Sequence, residues 1–254
     1  MSGAPGLTEL DRRGHVLVVR LVRTAKRNAV DRSLADAIDD ALSLLDDDPD
    51  LWAGVLTGSA GVFSAGSDLT AGGDYVTERG GEYGVIRRHR RKPLIAAVDG
   101  PALGGGLEIV LACDLVVASS GARFGLPEVT IGVLPTCAGL FRAPQALPVN
   151  LARELVLTGE PISAERAHAA GFVNVLCEQG EAESAALALA ERICRNAPLS
   201  VQACVAAMGA VLARDDELGW QATGEAIASM AGTADAAEGV QAFLERRAPV
   251  WTGR

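Results

Sequence analysis

The stretch Ala97-Val98-Asp99-Gly100-Pro101-Ala102-Leu103-Gly104-Gly105-Gly106-Leu107-Glu108 decides how this chain is read. An apolar run, Leu94 to Val98, ends at Gly100-Pro101. Three glycines follow, and an apolar helical run then opens with a carboxylate in its first turn. Glycines at such a place let backbone amides approach a ligand atom closely. The free N–H groups of a helix start favour negative charge. A carboxylate beside those donors suits proton transfer on a polarised carbonyl compound. Taken alone, the glycine cluster has a simpler reading, close packing between a strand and a helix.

Working outward, His15 to Val22 is rich in β-branched residues and reads as a strand. Thr24 to Asn28 is a polar, basic loop. A helix starts at Ser33, with Leu34, Ile38, Leu42 and Leu45 on one face, and stops near Asp48-Pro49. Trp52 to Leu56 is a short buried strand, and Thr57 to Asp74 is glycine-rich loop. Glu78 to Lys92 reads as a polar, arginine-rich helix. Leu94 to Val98 is a buried strand, Leu107 to Cys113 a helix, Leu115 to Ala118 a strand, and Ala122 to Phe124 a short edge piece. After turns at Pro127 and Pro135, helices dominate: 150–157, 163–170, 182–195, 198–212, 218–231 and 235–246. The alternation of β and α, followed by a helical tail, predicts an α/β fold with crossover helices. The one composition shift falls near residue 196.

The chain has 254 residues, 49% of them apolar and only 4% aromatic. Its core is therefore built mainly from Ala, Val and Leu, and the length suits one large domain, alone or with a small appendage. A net charge of −9 argues against generic nucleic-acid or anionic-membrane binding. The five cysteines form no CxxC pair, and the odd count reads as reduced thiols of a cytosolic chain. Met1 to Asp11 lacks the basic and apolar regions of a signal peptide. No apolar run approaches the length of a membrane span.

A second glycine-flanked turn, Phe63-Ser64-Ala65-Gly66-Ser67-Asp68-Leu69, also follows a strand. Two such loops can each donate one N–H to a single oxygen; the plain alternative is a surface loop with an Asx turn at Asp68. Glu108 and Glu128 lie on apolar-flanked segments that can converge, although each also suits the start of a helix. Two carboxylates at one substrate can share acid and base duties if their environments separate their pKa values. His15, His89 and His168 are scattered without ligand spacing, so no metal site is expected. There is no GxGxxG, GxxxxGK[ST] or GxSxG motif. The basic run Arg87, Arg88, His89, Arg90, Arg91, Lys92 reads as a solvated helix face, or as a local attractor for an anionic ligand tail.

Taken together, these motifs resemble the enoyl-CoA hydratase/isomerase (crotonase) superfamily. The match runs through Lys26-Arg27-Asn28-Ala29-Val30, Val55-Leu56-Thr57-Gly58, Phe63 to Leu69, Ala96 to Gly100 and Ala102 to Glu108. It continues through Cys113-Asp114, Phe124 to Glu128, Leu157-Thr158-Gly159 and Ala242 to Arg247. The resemblance implies a crotonase-like spiral of ββα units, with residues 1–195 as the core and 196–254 as a helical oligomerisation region. It implies a thioester carbonyl held by the amides of Ser67 and Gly105, with Glu108 and Glu128 as the acid/base pair. Lys26, Arg27, Ala65, Gly66, Asp68, Leu69, Gly104 and Thr136 are the expected substrate-binding residues. The acyl pocket is expected around Ala71 to Val85.

The expected reaction is reversible hydration of a 2-enoyl-CoA, without a cofactor beyond the substrate's own CoA. The expected assembly is a homotrimer or a dimer of trimers. The sequence departs from the family at Pro135-Thr136-Cys137-Ala138-Gly139, where family hydratases have Pro-Gly-x-Gly-Gly and the first glycine's amide helps to hold water. The ending Ala248 to Arg254 resembles members near carnitinyl-CoA dehydratase. That dehydration, enoyl-CoA isomerisation and non-catalytic acyl-CoA binding are the alternatives.

Overall fold

The computed structural model describes residues 6–254; residues 1–5, part of the stretch read above as lacking a signal peptide, lie outside the described residues. The first half runs β1 (Thr8–Arg13), β2 (Val16–Leu21), α1 (Arg32–Asp47), β3 (Ala53–Thr57), β4 (Val76–Thr77), β5 (Gly81–Glu82), β6 (Leu94–Val98), β7 (Pro101–Leu103) and α2 (Gly105–Leu111). The second half runs β8 (Leu115–Ser119), β9 (Arg123–Gly125), α3 (Gly139–Ala146), α4 (Val149–Thr158), β10 (Ile162–Ser163), α5 (Ala164–Ala169), β11 (Val175–Cys177), α6 (Ala182–Cys194), α7 (Pro198–Met230) and α8 (Ala234–Glu245).

Six strands form the main sheet in the order β1-β2-β3-β6-β8-β11. All neighbours pair in parallel except the β1–β2 hairpin. Both faces are covered, which is why β3 and β6 read as unbroken apolar runs. Leu17, Val19 and Leu21 face the core that holds α1 and α2, whereas Val16 and Val18 face the alanines of α6. The α1 helix is capped by Asp31, whose side chain accepts from the Leu34 amide, and it buries Leu34, Ile38, Leu42 and Leu45. A second, three-stranded sheet in the order β10-β9-β7 stands beside the first. It carries the loops that form the site.

Four expectations are corrected. Residues 78–92 form no helix: Gly81, Tyr83 and Gly84 all have positive φ, which a right-handed helix excludes. Three cations of this stretch are engaged inside the protein, while Arg87, His89 and Arg91 stay exposed. Arg88 pairs with Asp39 and Asp46, Arg90 with Asp114, and the Lys92 Nζ donates to the carbonyls of Leu45 and Asp48. The expected pair of helices at 198–212 and 218–231 is one helix, α7, because the charged residues between them contain no glycine or proline to break it. Finally, β9 is the centre of its sheet and not an edge.

The short strands β4, β5, β7, β10 and β11 go unread in the sequence, as do β1 and α3. Of the last two, the first is polar and pairs with one strand only; the second contains Pro144. Among the described residues, no single helix is long and apolar enough to cross a membrane. The α6–α7 pair passes that test only jointly, across a 107° bend.

Candidate active site

The two glycine-flanked loops meet. Ser64 bridges to Ala102, and Phe63 and Ser64 both donate from their amides to the Pro101 carbonyl, at 3.0 and 3.2 Å. Buried Asn28 ties the first loop down, donating from Nδ2 to the carbonyls of Val62 (3.0 Å) and Phe63 (3.1 Å). The approach is close enough to require glycine: a Cβ on Gly66 would stand 2.9 Å from the Gly105 nitrogen. Gly104 donates its own N–H to the Gly125 carbonyl at 2.9 Å. The amides of Ser67 and Gly105 donate to nothing among the described residues. Two adjacent N–H groups are thus left open where the loops touch.

Glu108 and Glu128 converge beside them. Glu108, on α2, is 1% exposed. Its Oε1 accepts from the amides of Cys137 at 2.7 Å and Gly139 at 2.8 Å. Burial, and then the charge of nearby Glu128, pushes its pKa up to about 8 against the pull of those two donors. Glu128 stands at the start of a 3-10 turn, Pro127–Ile131, with proline in the first position. Burial pushes its pKa up to about 7, and its Oε2 is buried without a partner among the described residues. Such coupled carboxyls titrate as a pair, and both hold their protons well above the usual carboxylate range.

The other expected residues divide into two groups. Lys26, Arg27, Ala65 and Leu69 lie on an exposed rim, while Gly66 and Gly104 are buried at the meeting point. Asp68 is turned inward: it accepts from Thr70 and pairs with Arg23 at 2.8 Å, and its pKa falls to about 2. The Lys26 ammonium lies 3.6 Å from the same carboxylate. Thr136 is half-buried, but the amides that hold Glu108 come from Cys137 and Gly139. Between them, Ala138 has a φ of +81, a conformation that favours glycine.

Sequence reasoning missed the amides of Cys137 and Gly139, and also Tyr75 and Tyr83, whose rings lie 4.6 Å apart. Both tyrosines fall within the stretch 71–85 expected for the acyl pocket. Tyr83 bonds Ser67 Oγ at 2.6 Å, and the Tyr75 hydroxyl faces Cys137 Sγ at 3.9 Å. Among the described residues, no three His, Cys, Asp or Glu side chains cluster as metal ligands would.

The fold and this site define a family: the chain belongs to the enoyl-CoA hydratase/isomerases, whose sequence profile matches residues 11–254. It is 38% identical to the carnitinyl-CoA dehydratase of Salmonella typhi, over 96% of this chain and 98% of the relative. It is 36% identical to the enoyl-CoA hydratase EchA19 of Mycobacterium tuberculosis, over 100% of this chain and 98% of the relative. Among solved structures, EchA1_1 from Mycobacterium paratuberculosis superposes with a TM-score of 0.92 at 42% identity, covering 99% of this chain and all of that one.

Proposed function

We propose that this protein is a hydro-lyase that adds water reversibly across the 2,3 double bond of a 2-enoyl-CoA. The observation that carries the reading is the convergence of Glu108 and Glu128 beside the open amides of Ser67 and Gly105. In this reading the two amides form an oxyanion hole for the thioester oxygen. Each such donor contributes about 3 kcal/mol in enzymes where one has been removed. With one proton on the carboxyl pair, the ionised member takes a proton from water and the hydroxide adds to the β-carbon. Charge moves to the thioester oxygen, and the protonated member delivers its proton to the α-carbon. The atoms balance without a cofactor beyond the substrate's own CoA.

Lys26 and Arg27 are assigned to the phosphate end of CoA. Ala65, Gly66 and Leu69 form its channel, Asp68 acts behind it by holding Arg23 and Lys26, Gly104 shapes the turn beside the thioester, and Thr136 lies beside the acyl group. Dehydration of a 3-hydroxyacyl-CoA bearing a polar chain is the second reading. It draws support from the hydroxyl groups of Tyr75 and Thr136 and from the relative named carnitinyl-CoA dehydratase. A homotrimer or dimer of trimers is supported by the exposed Leu199, Met208, Val211, Leu212 and Leu218 of α7. Residues 196–254 are then the oligomerisation region and residues 1–195 the catalytic core. Five free thiols support a reducing, cytoplasmic setting, and fatty-acid metabolism fits the substrate class.

The test is incubation with short, polar and aromatic 2-enoyl-CoAs, followed by mass. A gain of one water is expected, and Glu128→Gln is expected to lower turnover by about 10² or more while thioester still binds. Conversion of a 3-enoyl-CoA without a mass change would make the protein an isomerase. Tight binding with no conversion of any ester would leave it a binder.

A further inference from the structure

Tyr83 is a buried residue to which the proposed chemistry assigns nothing. It is 1% exposed and sits at φ +55 in a turn between Gly81 and Gly84. Its amide donates to the Tyr75 carbonyl at 2.9 Å. An aromatic residue in the left-handed region is strained, and such strain persists where the surroundings fix it. Here the turn places one hydroxyl. That oxygen lies 2.6 Å from Ser67 Oγ, and a Cβ on Gly105 would stand 2.5 Å from it. Ser67 and Gly105 belong to different loops, and they are the two residues whose amides are open. One phenol therefore touches both.

We propose that Tyr83 is a positioning residue, strapping the Ser67 loop to the start of α2 and so setting the spacing of the two amides at the thioester oxygen. The inference rests on the lyase reading above. Donors stabilise a developing oxyanion only at the right distance, and a misplacement of about 1 Å can cost about 10²-fold in rate. The strap is buried, so water does not readily replace it. Burial holds the phenol pKa well above its usual value, and the hydroxyl stays protonated as pH changes. The ring also packs on Tyr75, so phenylalanine in its place keeps the packing while losing the hydroxyl's bond to Ser67 and its interaction with Cys137.

The experiment compares Tyr83→Phe, Ser67→Ala and the double variant. One readout is kcat and KM on a 2-enoyl-CoA. The other is the absorption spectrum of a bound aryl-enoyl-CoA, which moves to longer wavelength when its carbonyl is polarised. Each single variant is expected to lower kcat about tenfold, with KM and melting temperature little changed and a smaller red shift. The double variant is expected to lose no more than either single one, because both remove the same bond. Wild-type kcat and red shift in Tyr83→Phe would overturn the proposal; should that variant not fold, Ser67→Ala tests the bond from its other end. If the wild type turns over no enoyl-CoA, the lyase reading fails and the spectra still decide the strap. If the wild type gives no red shift, the amides do not polarise the carbonyl and the strap falls, whatever the turnover.

Discussion

Gly104 and Glu128 face each other so closely that a methyl group on the glycine would stand 3.0 Å from the carboxyl Oε1. The glycine also has φ 56 and ψ −127, backbone that a side chain strains. Two effects therefore meet in Gly104→Ala: displacement of Glu128, and a backbone penalty of about 1–3 kcal/mol. The variant is expected to melt below the wild type and to lose most of its turnover. Calorimetry and steady-state kinetics check this; unchanged kcat would show that the Glu128 position seen here is not the working one.

The carboxyl pair makes stability and activity oppose each other. In an unfolded chain both glutamates titrate near 4.5, while in the folded chain they titrate at about 8 and about 7. The folded state therefore binds more protons within that interval, and stability falls as pH rises through it. Raising a carboxyl's pKa by one pH unit corresponds to about 1.4 kcal/mol. Glu108→Gln keeps an oxygen able to accept from Cys137 and Gly139 while removing the buried charge. It is expected to melt above the wild type at pH 8.5, with the difference vanishing near pH 4. Its turnover is expected to collapse, and wild-type kcat is expected to peak between pH 7 and 8. A Glu108→Gln protein that melts with the wild type at every pH contradicts the buried charge.

What was legible in the sequence was whatever side-chain pattern encodes. The apolar runs of β3 and β6 and the glycine-to-Glu108 turn come straight from residue type, as does the apolar face of α1. The stretch 78–92 misled because a row of arginines looks solvated when its partners are distant in sequence. Arg88 finds Asp39 and Asp46 on α1, and Arg90 finds Asp114. The groups that hold Glu108 were invisible for another reason: they are backbone amides, and every residue but proline has one. Ala138 hid the turn that presents them, because it adopts φ +81 where a glycine would have advertised it. Tyr83 could have been suspected, since Gly80-Gly81 and Gly84 bracket it in a region too glycine-rich for the helix expected there.

The rim of the site tests the placement of the CoA end. Arg27 is exposed and makes no ion pair among the described residues, whereas Lys26 shares Asp68 with Arg23. Arg27→Ala is therefore expected to weaken CoA thioester binding more than Lys26→Ala does. The loss should be severalfold at low ionic strength and should shrink as salt screens it. Neither variant is expected to change kcat. Titration calorimetry with a non-reactive CoA thioester at two salt concentrations measures the effect, and equal affinity of Arg27→Ala and wild type at low salt would move the phosphates elsewhere.

Glu128 also depends on the far end of the chain. The 3-10 turn that carries it rests on α8, where a side chain at Gly239 would collide with the Ile131 carbonyl. At Gly132 a Cβ would stand 2.6 Å from the Asp235 carbonyl oxygen and 3.3 Å from the Trp251 ring. Asp235 in turn accepts from the amides of Thr252 (2.7 Å) and Gly253 (2.8 Å), fastening the tail across the helix start. Alanine is a better helix former than glycine, so Gly239→Ala would stabilise α8 on propensity alone. Packing is expected to win: overfilling a tight contact costs about 1–3 kcal/mol, and here the obstacle is backbone. The variant should melt earlier, lose turnover, and shift the acid limb of its pH profile because the surroundings of Glu128 change. An active variant with the wild-type pH profile and melting temperature would show that α8 does not support the turn.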